Sequence, residues 1–376
     1  MKKIVLSGGP CAGKSTLAAR AIRELTEKGF YVLFSNEAAS NLIMGGIKPG
    51  PAISMEEFQD FVLDYQIENE SRYEKAAAFF DPEKVIILYD RGLLDQMAYI
   101  GREYFYGMLK KRDISFSDAR DRYDGVIFLQ SAANGAEEYY TQINEFNGEK
   151  VEIRYESVDE ARELNDRTLN AWIGVPHLRV IGNEMNFEEK IDMAMQEIYN
   201  IIGIPVVTEI ERKFLIKKPS EELLNNISMC SRTDIFNTYL KEMKPGVERR
   251  IRMRGLDGDY SFYYTEKSPI PGSIMRREVE RRISQKDYLW LATETDNSLH
   301  TVGKHRYCHV YDGQYFEIDV YDFDDEYAIL ELELGKEEQE IRLPSYIEVV
   351  KEVTEDSRYK NKQIAKDLKF PPLTLI

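Results

Sequence analysis

Residues 8–15 read Gly-Gly-Pro-Cys-Ala-Gly-Lys-Ser and set the expected fold of the first part of this chain. The stretch fits G-x-x-x-x-G-K-S/T, a pattern whose glycines let backbone N–H groups curl around phosphate oxygens. The apolar run Lys3–Leu6 precedes it, and the helical pattern of Ser15–Lys28 follows it. A strand, a glycine-rich turn and a helix in this order predict a phosphate-binding loop at a helix N-terminus.

The residues of this loop have separate expected roles. Gly8 and Gly13 shape the loop, and Lys14 reaches the terminal phosphates of a nucleoside triphosphate as a catalytic group. Ser15 offers its hydroxyl to Mg²⁺, and Thr16 beside it is also expected to contact the nucleotide. The motif does not choose between ATP and GTP, and the chain has no Asn-Lys-x-Asp guanine signature.

A carboxylate is expected on the metal side of this loop. Asp90 follows the buried strand Val85–Tyr89, and open α/β sheets collect ligands at the carboxyl ends of their strands. An aspartate there is commonly a turn former, but beside a phosphate loop we predict that it holds Mg²⁺. Arg91 is expected to contact phosphate, with a surface salt bridge as the alternative. Glu37 is a candidate for contacting an acceptor or the metal, with a helix cap as the alternative.

Composition indicates a globular protein with two domains. The chain has 376 residues, of which 43% are apolar and 31% are charged, and single cores rarely grow that large. Its net charge of −16 argues against a protein that coats nucleic acid, although a concentrated basic site is compatible with it. The three cysteines are too scattered for a disulfide framework or a zinc site. The four histidines are also too scattered to propose as a metal site, so packing or surface roles are expected.

The expected location is the cytoplasm. No run approaches the roughly 18 apolar residues that span a bilayer, and the apolar stretch after Lys3 ends at Gly8-Gly9-Pro10, too early for a signal peptide. Contact with a membrane surface or a phosphoinositide stays open.

The first 200 residues alternate short apolar runs with helical stretches, which is typical of a parallel α/β sheet between helix layers. Five runs are predicted as buried strands: Lys3–Leu6, Tyr31–Ser35, Val85–Tyr89, Val126–Leu129 and Leu178–Ile181. After the helical pattern of Phe187–Ile202, Gly203-Ile204-Pro205 marks the boundary. We therefore predict one domain over 1–203 and another over 204–376.

After Val206 the periodicity changes to two, which predicts antiparallel strands with a few helices. Seven stretches alternate: Thr208–Ile216, Val247–Arg254, Tyr260–Lys267, Arg276–Ile283, His305–Tyr311, Tyr315–Tyr321 and Ala328–Leu334. Nearly every one of them places two charges on the same face, with acids and bases largely on different strands. A solvated sheet face is the ordinary explanation for one such strand.

The repetition over seven strands favours a site for a polyanion and divalent metals. Basic side chains would hold phosphate oxygens: Lys213, Arg250, Arg252, Arg254, Lys267, Arg276, Lys304 and Arg306. Carboxylates would hold Mg²⁺ or Mn²⁺: Glu209, Glu211, Glu278, Glu280, Asp319, Glu331 and Glu333. Metal would polarise phosphorus and activate water, with a carboxylate taking the proton. Glu209, Glu211 and Lys213 are the predicted catalytic set.

The first part of the chain resembles the thymidylate-kinase-like and NadR-like P-loop kinases. The resemblance rests on the phosphate loop, on "NEAAS" (Asn36–Ser40) and on "DRGLLDQMAY" (Asp90–Tyr99). It implies that the Asp-Arg pair supports Mg²⁺ and phosphate, and that arginines of a mobile lid close over the nucleotide. Arg154 and Arg162 lie in the corresponding region.

The second part resembles the CYTH superfamily, the triphosphate tunnel metalloenzymes. Glu209–Lys213 is its E-x-E-x-K strand, "EVTEDSRYKN" (Glu352–Asn361) is similar to its C-terminal stretch, and the likeness spans about 208–368. It implies an eight-stranded antiparallel tunnel, with hydrolysis of inorganic, nucleoside or thiamine triphosphate, or adenylate cyclase chemistry, as activities. Which of Arg249, Arg250, Arg252 and Arg254 face the tunnel stays open.

The pairing of the two parts resembles the TRP-channel translocation-defect protein family, while plant proteins fuse a uridine-kinase-like domain to CYTH. The leading hypothesis is a metal-dependent triphosphate hydrolase coupled to an ATP- or GTP-binding domain with NTPase or kinase activity. The alternative is a nucleotide-regulated adaptor that captures phosphoinositide or phosphate headgroups without turnover. The six glutamates of the three acidic strand pairs favour the hydrolase, because a pure binder has little use for them.

Overall fold

The computed structural model describes residues 1–140, 143–146, 149–152, 156–204, 210–269, 276–334 and 339–372. The chain forms two compact units, Met1–Thr208 and Glu209–Ile376. The predicted boundary between residues 203 and 204 lies close to this division. None of the helices in the described residues is long and apolar enough to cross a bilayer.

Most strands of the first unit form one parallel sheet. In the described residues these strands are β1 (Lys2–Gly8), β2 (Tyr31–Ser35), β3 (Val85–Asp90), β4 (Gly125–Leu129), β5 (Ile143–Phe146), β6 (Glu149–Glu152) and β7 (Leu178–Ile181). The sheet order is β2-β3-β1-β4-β7, and β5 and β6 form a separate antiparallel pair. The predicted parallel α/β sheet is confirmed. Because β1 is central, the phosphate loop begins at the middle of the sheet edge.

The helices of the first unit pack their apolar residues on this sheet. They are α1 (Lys14–Glu27), α2 (Ala38–Met44), α3 (Met55–Ala77), α4 (Met97–Ile100), α5 (Arg102–Lys110), α6 (Phe116–Arg120), α7 (Val158–Trp172) and α8 (Phe187–Ile202). Ser54 and Ser157 close capping boxes at the starts of α3 and α7, which satisfies N–H groups that a helix start leaves unpaired. Leu17 and Leu25 of α1 are buried against the sheet in one apolar cluster with α8.

The second unit is an antiparallel sheet with short helices. Its strands are β8 (Ile210–Lys217), β9 (Cys230–Leu240), β10 (Glu248–Leu256), β11 (Asp259–Pro269), β12 (Arg276–Ile283), β13 (Val302–Tyr311), β14 (Gln314–Val320), β15 (Tyr327–Leu334) and β16 (Val349–Glu352). The order is β12-β11-β10-β9-β13-β14-β15-β8-β16. The helices are α9 (Glu221–Asn226), α10 (Gln285–Leu291) and α11 (Asn361–Asp367).

This β-rich second unit confirms the predicted fold class, but its strand count differs from the expected eight. Within the described residues the sheet has nine strands, and its end strands β12 and β16 do not pair with each other. β9 was missing from the predicted strands. Its inward residues mix Thr233 and Asn237 with Ile235 and Tyr239, so the apolar alternation that identifies a half-buried strand is lost.

One face of the second sheet packs on an apolar core. Phe214, Phe316, Ile318, Leu330 and Leu332 form this core. Leu224 from α9 joins them from outside the sheet. The opposite face carries the predicted charges and is described below.

The C-terminal segment covers one end of that opposite face. Leu215, Tyr239, Val302 and Ile329 pack there with residues of the segment Val353–Phe370, which contains α11. The charged face therefore has an apolar border at one end.

We expect the burial of β4 to dominate the stability of the first unit. Phe128 is 0% exposed and Phe79 is 90% exposed, so the pair compares one residue type in two environments. Phe128→Ala should lower the free energy of unfolding by about 3–5 kcal/mol, and Phe79→Ala by less than about 0.5 kcal/mol. Urea unfolding of the full chain, followed by circular dichroism, measures both. Equal losses would contradict the assigned burial.

Candidate functional site

The glycine-rich loop joins β1 to α1, and two glycines are required by its shape. Gly8 has φ +140° and Gly13 has φ +97°, where a side chain is disfavoured. A Cβ on Gly8 would lie 2.2 Å from the carbonyl oxygen of Leu129, and a Cβ on Gly13 would lie 2.9 Å from the ring of Phe187. The loop backbone is therefore pressed between the end of β4 and the start of α8.

Lys14 begins α1 and folds back over the loop. Its Nζ donates to the carbonyl oxygens of Gly8 at 3.1 Å and Gly9 at 3.3 Å. Burial and the neighbouring Arg91 together lower the pKa of Lys14 to about 8, although Asp90 and Glu37 oppose the shift. Ser15 and Thr16 follow in the first turn of α1 and are exposed. The hydroxyl and ammonium groups that would meet a phosphate thus lie at one helix start.

Asp90 ends β3 beside this loop, since it pairs in register with Leu6 of β1. Burial raises the pKa of its carboxyl group. Its Oδ1 is buried and has no hydrogen-bond partner within the described part of the chain. A buried carboxylate oxygen of this kind fits a cation or its bound water. Ser15 and Asp90 are therefore compatible with Mg²⁺, although their metal roles stay predictions.

Arg91 lies among acidic groups with only 15% of its side chain exposed, so it does not form the surface salt bridge of the alternative. Its φ of 70° is unusual for a residue with a side chain, and its backbone N–H donates to Leu6 O at 3.0 Å. The guanidinium forms an ion pair with Glu37 and lies 3.5 Å from Asp95 Oδ1 and 3.4 Å from Gly8 O. Arg91 therefore reaches the edge of the phosphate loop.

Glu37 occupies the N-cap position of α2, but its side chain makes no capping bond. Burial works against its charged form, yet Arg91 and Lys14 outweigh that effect and hold the pKa of Glu37 at about 2. It also accepts a hydrogen bond from the Ser40 hydroxyl at 2.5 Å. The carboxylate is thus an ion-pair partner of Arg91 in this structure.

Two residues that the sequence left unassigned support Arg91. Asp95 accepts from the Ser7 hydroxyl at 2.6 Å and from the Gly92 N–H at 2.7 Å. Gln66 of α3 donates its amide to the Arg91 carbonyl at 3.1 Å. Asp95 lies within the "DRGLLDQMAY" stretch and could have been noticed, whereas Gln66 has no local signal because only the tertiary fold brings it there.

Of the two predicted lid arginines, only Arg162 lies in the part of the chain that the structure describes. Arg154 lies outside the described residues. Arg162 of α7 pairs with Glu137 at 3.0 Å and Asp159 at 2.7 Å. α7 instead approaches the loop through Asn165, whose Cβ would lie 2.8 Å from a Cβ built on Gly9.

In the second unit, the strand register places the predicted residues on one face, because directly paired residues of antiparallel strands share a face. Arg252 pairs with Asn237, Arg306 with Asp319, and Glu331 with Lys213. We call this the charged face, and it includes Glu211, Lys213, Arg250, Arg252, Arg254, Lys267, Glu278, Glu280, Lys304, Arg306, Glu317, Asp319, Glu331 and Glu333.

The strand register also shows which of the closely spaced arginines of β10 lie on the charged face. Arg250, Arg252 and Arg254 share the charged face. Arg249 pairs with Leu240 of β9 and lies on the other face, where its guanidinium binds Glu294 at 2.8 Å.

Side chains of the charged face reach across intervening strands. Arg306 of β13 reaches Glu331 of β15 at 2.7 Å across the intervening β14, and Arg250 of β10 reaches Glu278 of β12 at 3.4 Å across β11. Next-but-one strands in a flat sheet are about 9–10 Å apart. Lys304 is only 4% exposed, so this face also holds charge away from solvent.

Ion pairs link the acidic and basic strands at the β8 side of this face. Lys213 Nζ lies 3.0 Å from Glu211 and 2.8 Å from Glu331. Burial and the neighbouring Glu331 raise the pKa of Glu211. Burial alone would raise the pKa of Glu331, but Lys304, Arg306 and Lys213 hold it well below its usual range. Two carboxylates with opposite pKa shifts therefore lie close together.

The β12 side carries a second group of pairs. Arg252 lies 3.3 Å from Glu280 and donates its Nε to Asn237 at 3.0 Å. Burial lowers the pKa of this guanidinium, and the nearby Arg250, Arg306 and Arg254 add to the shift while Glu280 opposes it. Lys267 pairs with Glu278 at 2.7 Å. Arginines gathered in this way repel one another and favour an anion between them.

Some predicted residues fall outside these observations. Glu209 lies outside the described residues, and of Arg276 only its place in β12 is described. Glu333 is exposed at the end of β15. In the part of the chain that the structure describes, no group of three or more His, Cys, Asp or Glu side chains is arranged to hold a metal ion. The metal ligands of the charged face stay predictions.

Known proteins match both parts of this description. Residues 3–190, half of the 376-residue chain, match a family described as an AAA domain. The chain belongs to this AAA-domain family. The AAA domain contains the phosphate loop, Asp90 and Arg91.

The chain is also similar to an inorganic triphosphatase of Nitrosomonas europaea, with 35% identity over 165 residues that make up 42% of this chain and 97% of the relative. It is therefore a homologue of that protein. A solved inorganic triphosphatase structure is 30% identical, covers 43% of this chain and 96% of its own, and has a TM-score of 0.31. A hypothetical protein of known structure is 31% identical over 44% of this chain and 100% of its own, with a TM-score of 0.31.

We expect nucleotide affinity of the AAA domain to fall above pH 8. A bound phosphate favours charged Lys14, whose pKa in the free protein is about 8. Affinity should thus be full below that pH and fall about tenfold per pH unit above it. Titration of a non-hydrolysable ATP or GTP analogue between pH 7 and 9.5 measures this. Lys14→Arg, which does not titrate in this range, should flatten the profile, and an unchanged slope would contradict the assignment.

Proposed function

We propose that this chain hydrolyses triphosphates at the charged face, while its AAA domain binds and turns over ATP or GTP. One observation carries the proposal: buried arginines, a buried lysine and buried carboxylates gather on one face of a chain homologous to an inorganic triphosphatase. The 165 matched residues are about the length of the second unit, Glu209–Ile376. The resemblance to CYTH tunnel enzymes supports the same assignment.

The basic residues of β10 and β13 suit a linear polyanion. Arg250, Arg252 and Arg254 line one side of the neutral strand β9, and Lys304 and Arg306 line its other side. Guanidinium groups hold phosphate oxygens through paired, charge-assisted hydrogen bonds. A polyphosphate along β9 would thus meet cations from two strands. Lys267 and Arg276 extend this set toward β12 as further proposed contacts.

The acidic residues would serve metal binding and proton transfer. Glu211, Glu331 and Glu333, with Glu209, would hold Mg²⁺ or Mn²⁺ at the β8 side, and Glu278 with Glu280 at the β12 side. When bound, such an ion supplies positive charge that polarises the phosphoryl group and acidifies water. Burial and the neighbouring Glu331 raise the pKa of the Glu211 carboxylate, and a nearby cation would relieve that repulsion. Glu211 is also the proposed proton acceptor.

On substrate binding, the basic residues would exchange carboxylate partners for phosphate oxygens. They have ion-pair partners before the substrate arrives. Lys213, Arg252 and Arg306 are paired with glutamates in this structure. Phosphate oxygens would replace those carboxylates, which then become available to the metal. This exchange keeps the buried charge balanced before and after binding.

The AAA domain would carry its own chemistry. Lys14 and the loop amides would hold the terminal phosphates, and Ser15 and Asp90 would hold Mg²⁺. Glu37 is a weak proton acceptor while Arg91 holds its pKa near 2. Activation of an acceptor hydroxyl by Glu37 would require Arg91 to leave, so nucleotide binding or hydrolysis fits this arrangement better than phosphoryl transfer to an acceptor.

The decisive experiment measures phosphate release from tripolyphosphate, ATP and GTP with Mg²⁺ or Mn²⁺. Glu211→Gln should lower tripolyphosphate turnover by at least about 100-fold, because it removes the proton acceptor and a metal ligand. Lys14→Ala should leave that turnover unchanged and abolish ATP or GTP turnover by the AAA domain.

Three outcomes are distinct. If Lys14→Ala abolishes tripolyphosphate turnover and Glu211→Gln does not, the turnover belongs to the AAA domain. No turnover of any triphosphate, with tight binding of phosphoinositide headgroups, would refute hydrolysis and favour the adaptor hypothesis. Independent losses in the two variants would show two separate sites.

A matched pair of arginines tests the assigned face. Arg252→Met should weaken tripolyphosphate binding by about tenfold or more, the worth of a charge-assisted hydrogen bond. Arg249→Met removes the same group from the opposite face of the same strand and should change affinity by less than about threefold. Isothermal titration calorimetry without metal measures both. If Arg249→Met weakens binding more than Arg252→Met does, the anion binds on the face opposite the charged face.

A further inference from the structure

We propose that Asp319 is a positioning residue, a buried counter-ion that fixes Lys304 and Arg306 as a pair facing the anion, and not a metal ligand. The proposal rests on the proposed function for the role of the pair. The geometry that supports it does not depend on any ligand.

Asp319 is surrounded by its two basic partners. It pairs in register with Arg306, and its Oδ1 and Oδ2 accept from Arg306 Nε and Nη2, both at 2.7 Å. Its Oδ2 also accepts from Lys304 Nζ. A carboxylate offers about four lone-pair positions, so this network occupies both oxygens from two directions. Three of these positions are taken, so a metal would have to share an oxygen that already accepts from a cation.

Exposure separates Asp319 from Glu317 and Glu211 on the charged face. Its side chain is 0% exposed, whereas those of Glu317 and Glu211 are 28% and 47% exposed. Ions from solvent can approach those glutamates directly. Asp319 is out of contact with solvent in this structure.

The need for a counter-ion follows from the positions of the two cations. Lys304 and Arg306 are neighbours on one face of β13, and burial and the charge of Arg306 both lower the pKa of Lys304. Two like charges out of water repel each other and lack hydration. Asp319 compensates both at once and fixes their spacing. Glu317 and Glu331 also hold Arg306, but no ion pair joins either of them to Lys304 in the described residues.

This arrangement assigns different tasks to the acids of the face. Asp319 stays with its partners, so Lys304 and Arg306 keep their geometry when phosphate arrives. The glutamates around them exchange partners. Sequence alone could not separate the two groups, because Asp319 alternates with Glu317 as the other acids alternate with one another.

A double-mutant cycle in the absence of metal and phosphate tests the counter-ion role. Asp319→Asn keeps the shape and removes the charge, so buried Lys304 loses its ion-pair partner and Arg306 loses one of its carboxylate partners. Its melting temperature in the full chain should fall by about 5 °C or more. Adding Lys304→Met should recover at least half of this loss, because it removes one of the cations. Phe316→Ala identifies the calorimetric transition of the second unit, since Phe316 is buried there.

Additive losses in the double variant would overturn the proposal. So would an unchanged melting temperature of Asp319→Asn, because a counter-ion of two buried cations cannot be removed without cost. These results do not involve a substrate, so failure of the proposed function leaves the cycle interpretable.

Manganese titration, with free Mn²⁺ followed by electron paramagnetic resonance, tests the second half of the proposal. Asp319→Asn should change the affinity of the full chain by less than about threefold, and Glu211→Gln should weaken it by about tenfold or more. A tenfold loss in Asp319→Asn would overturn the proposal and make Asp319 a ligand. Absence of Mn²⁺ binding in the unaltered chain would refute the metal part of the proposed function, and the cycle would still decide the role of Asp319.

Discussion

The ion pairs around Arg306 show the constraint on which the second unit depends. Carboxylates from two neighbouring strands, Glu317 and Asp319 of β14 and Glu331 of β15, hold this one guanidinium. A charge that is removed from water must be compensated, because its desolvation costs several kcal/mol or more. The strand order meets this requirement. On the charged face, β9 carries uncharged residues and is flanked by the basic residues of β10 and β13. Acidic residues follow on β12, β14 and β15.

The two units solve the problem of holding phosphate in opposite ways. In the AAA domain the loop at Gly8–Ser15 uses backbone amides and a helix start, and its glycines are required by the close approach of Leu129 and Phe187. In the second unit, side chains on regular strands supply the charge. The first arrangement depends on a few residues in unusual backbone conformations. The second depends on register, since a shift by one residue would exchange the charged face for the apolar core.

Local signals in the sequence predicted much of this structure. The phosphate loop, the strands of the parallel sheet and the alternating strands of the second unit all follow from short-range patterns. β9 could not be predicted from such patterns, because Asn237 and Thr233 on its charged face break the apolar alternation. The role of Gln66 could not be predicted either, because only the packing of α3 brings it to the Arg91 carbonyl. The orientation of Arg249 and Arg250 required the register, since adjacent residues of one type look alike in sequence.

The covered end of the charged face has a consequence for how the second unit forms. Leu215 of β8 packs with Tyr359, Ile364 and Phe370, and β8 pairs with β15 and β16. β8 is the first strand of this unit to leave the ribosome. Its packing is completed only when the segment Val353–Phe370 has also been synthesised. Contacts so distant in the chain slow folding and leave a strand edge open during synthesis. The unpaired edge of β8 carries the charges of Glu211, Arg212 and Lys213, and charged edges resist association with other chains. The residues proposed for catalysis would thus also protect the nascent chain.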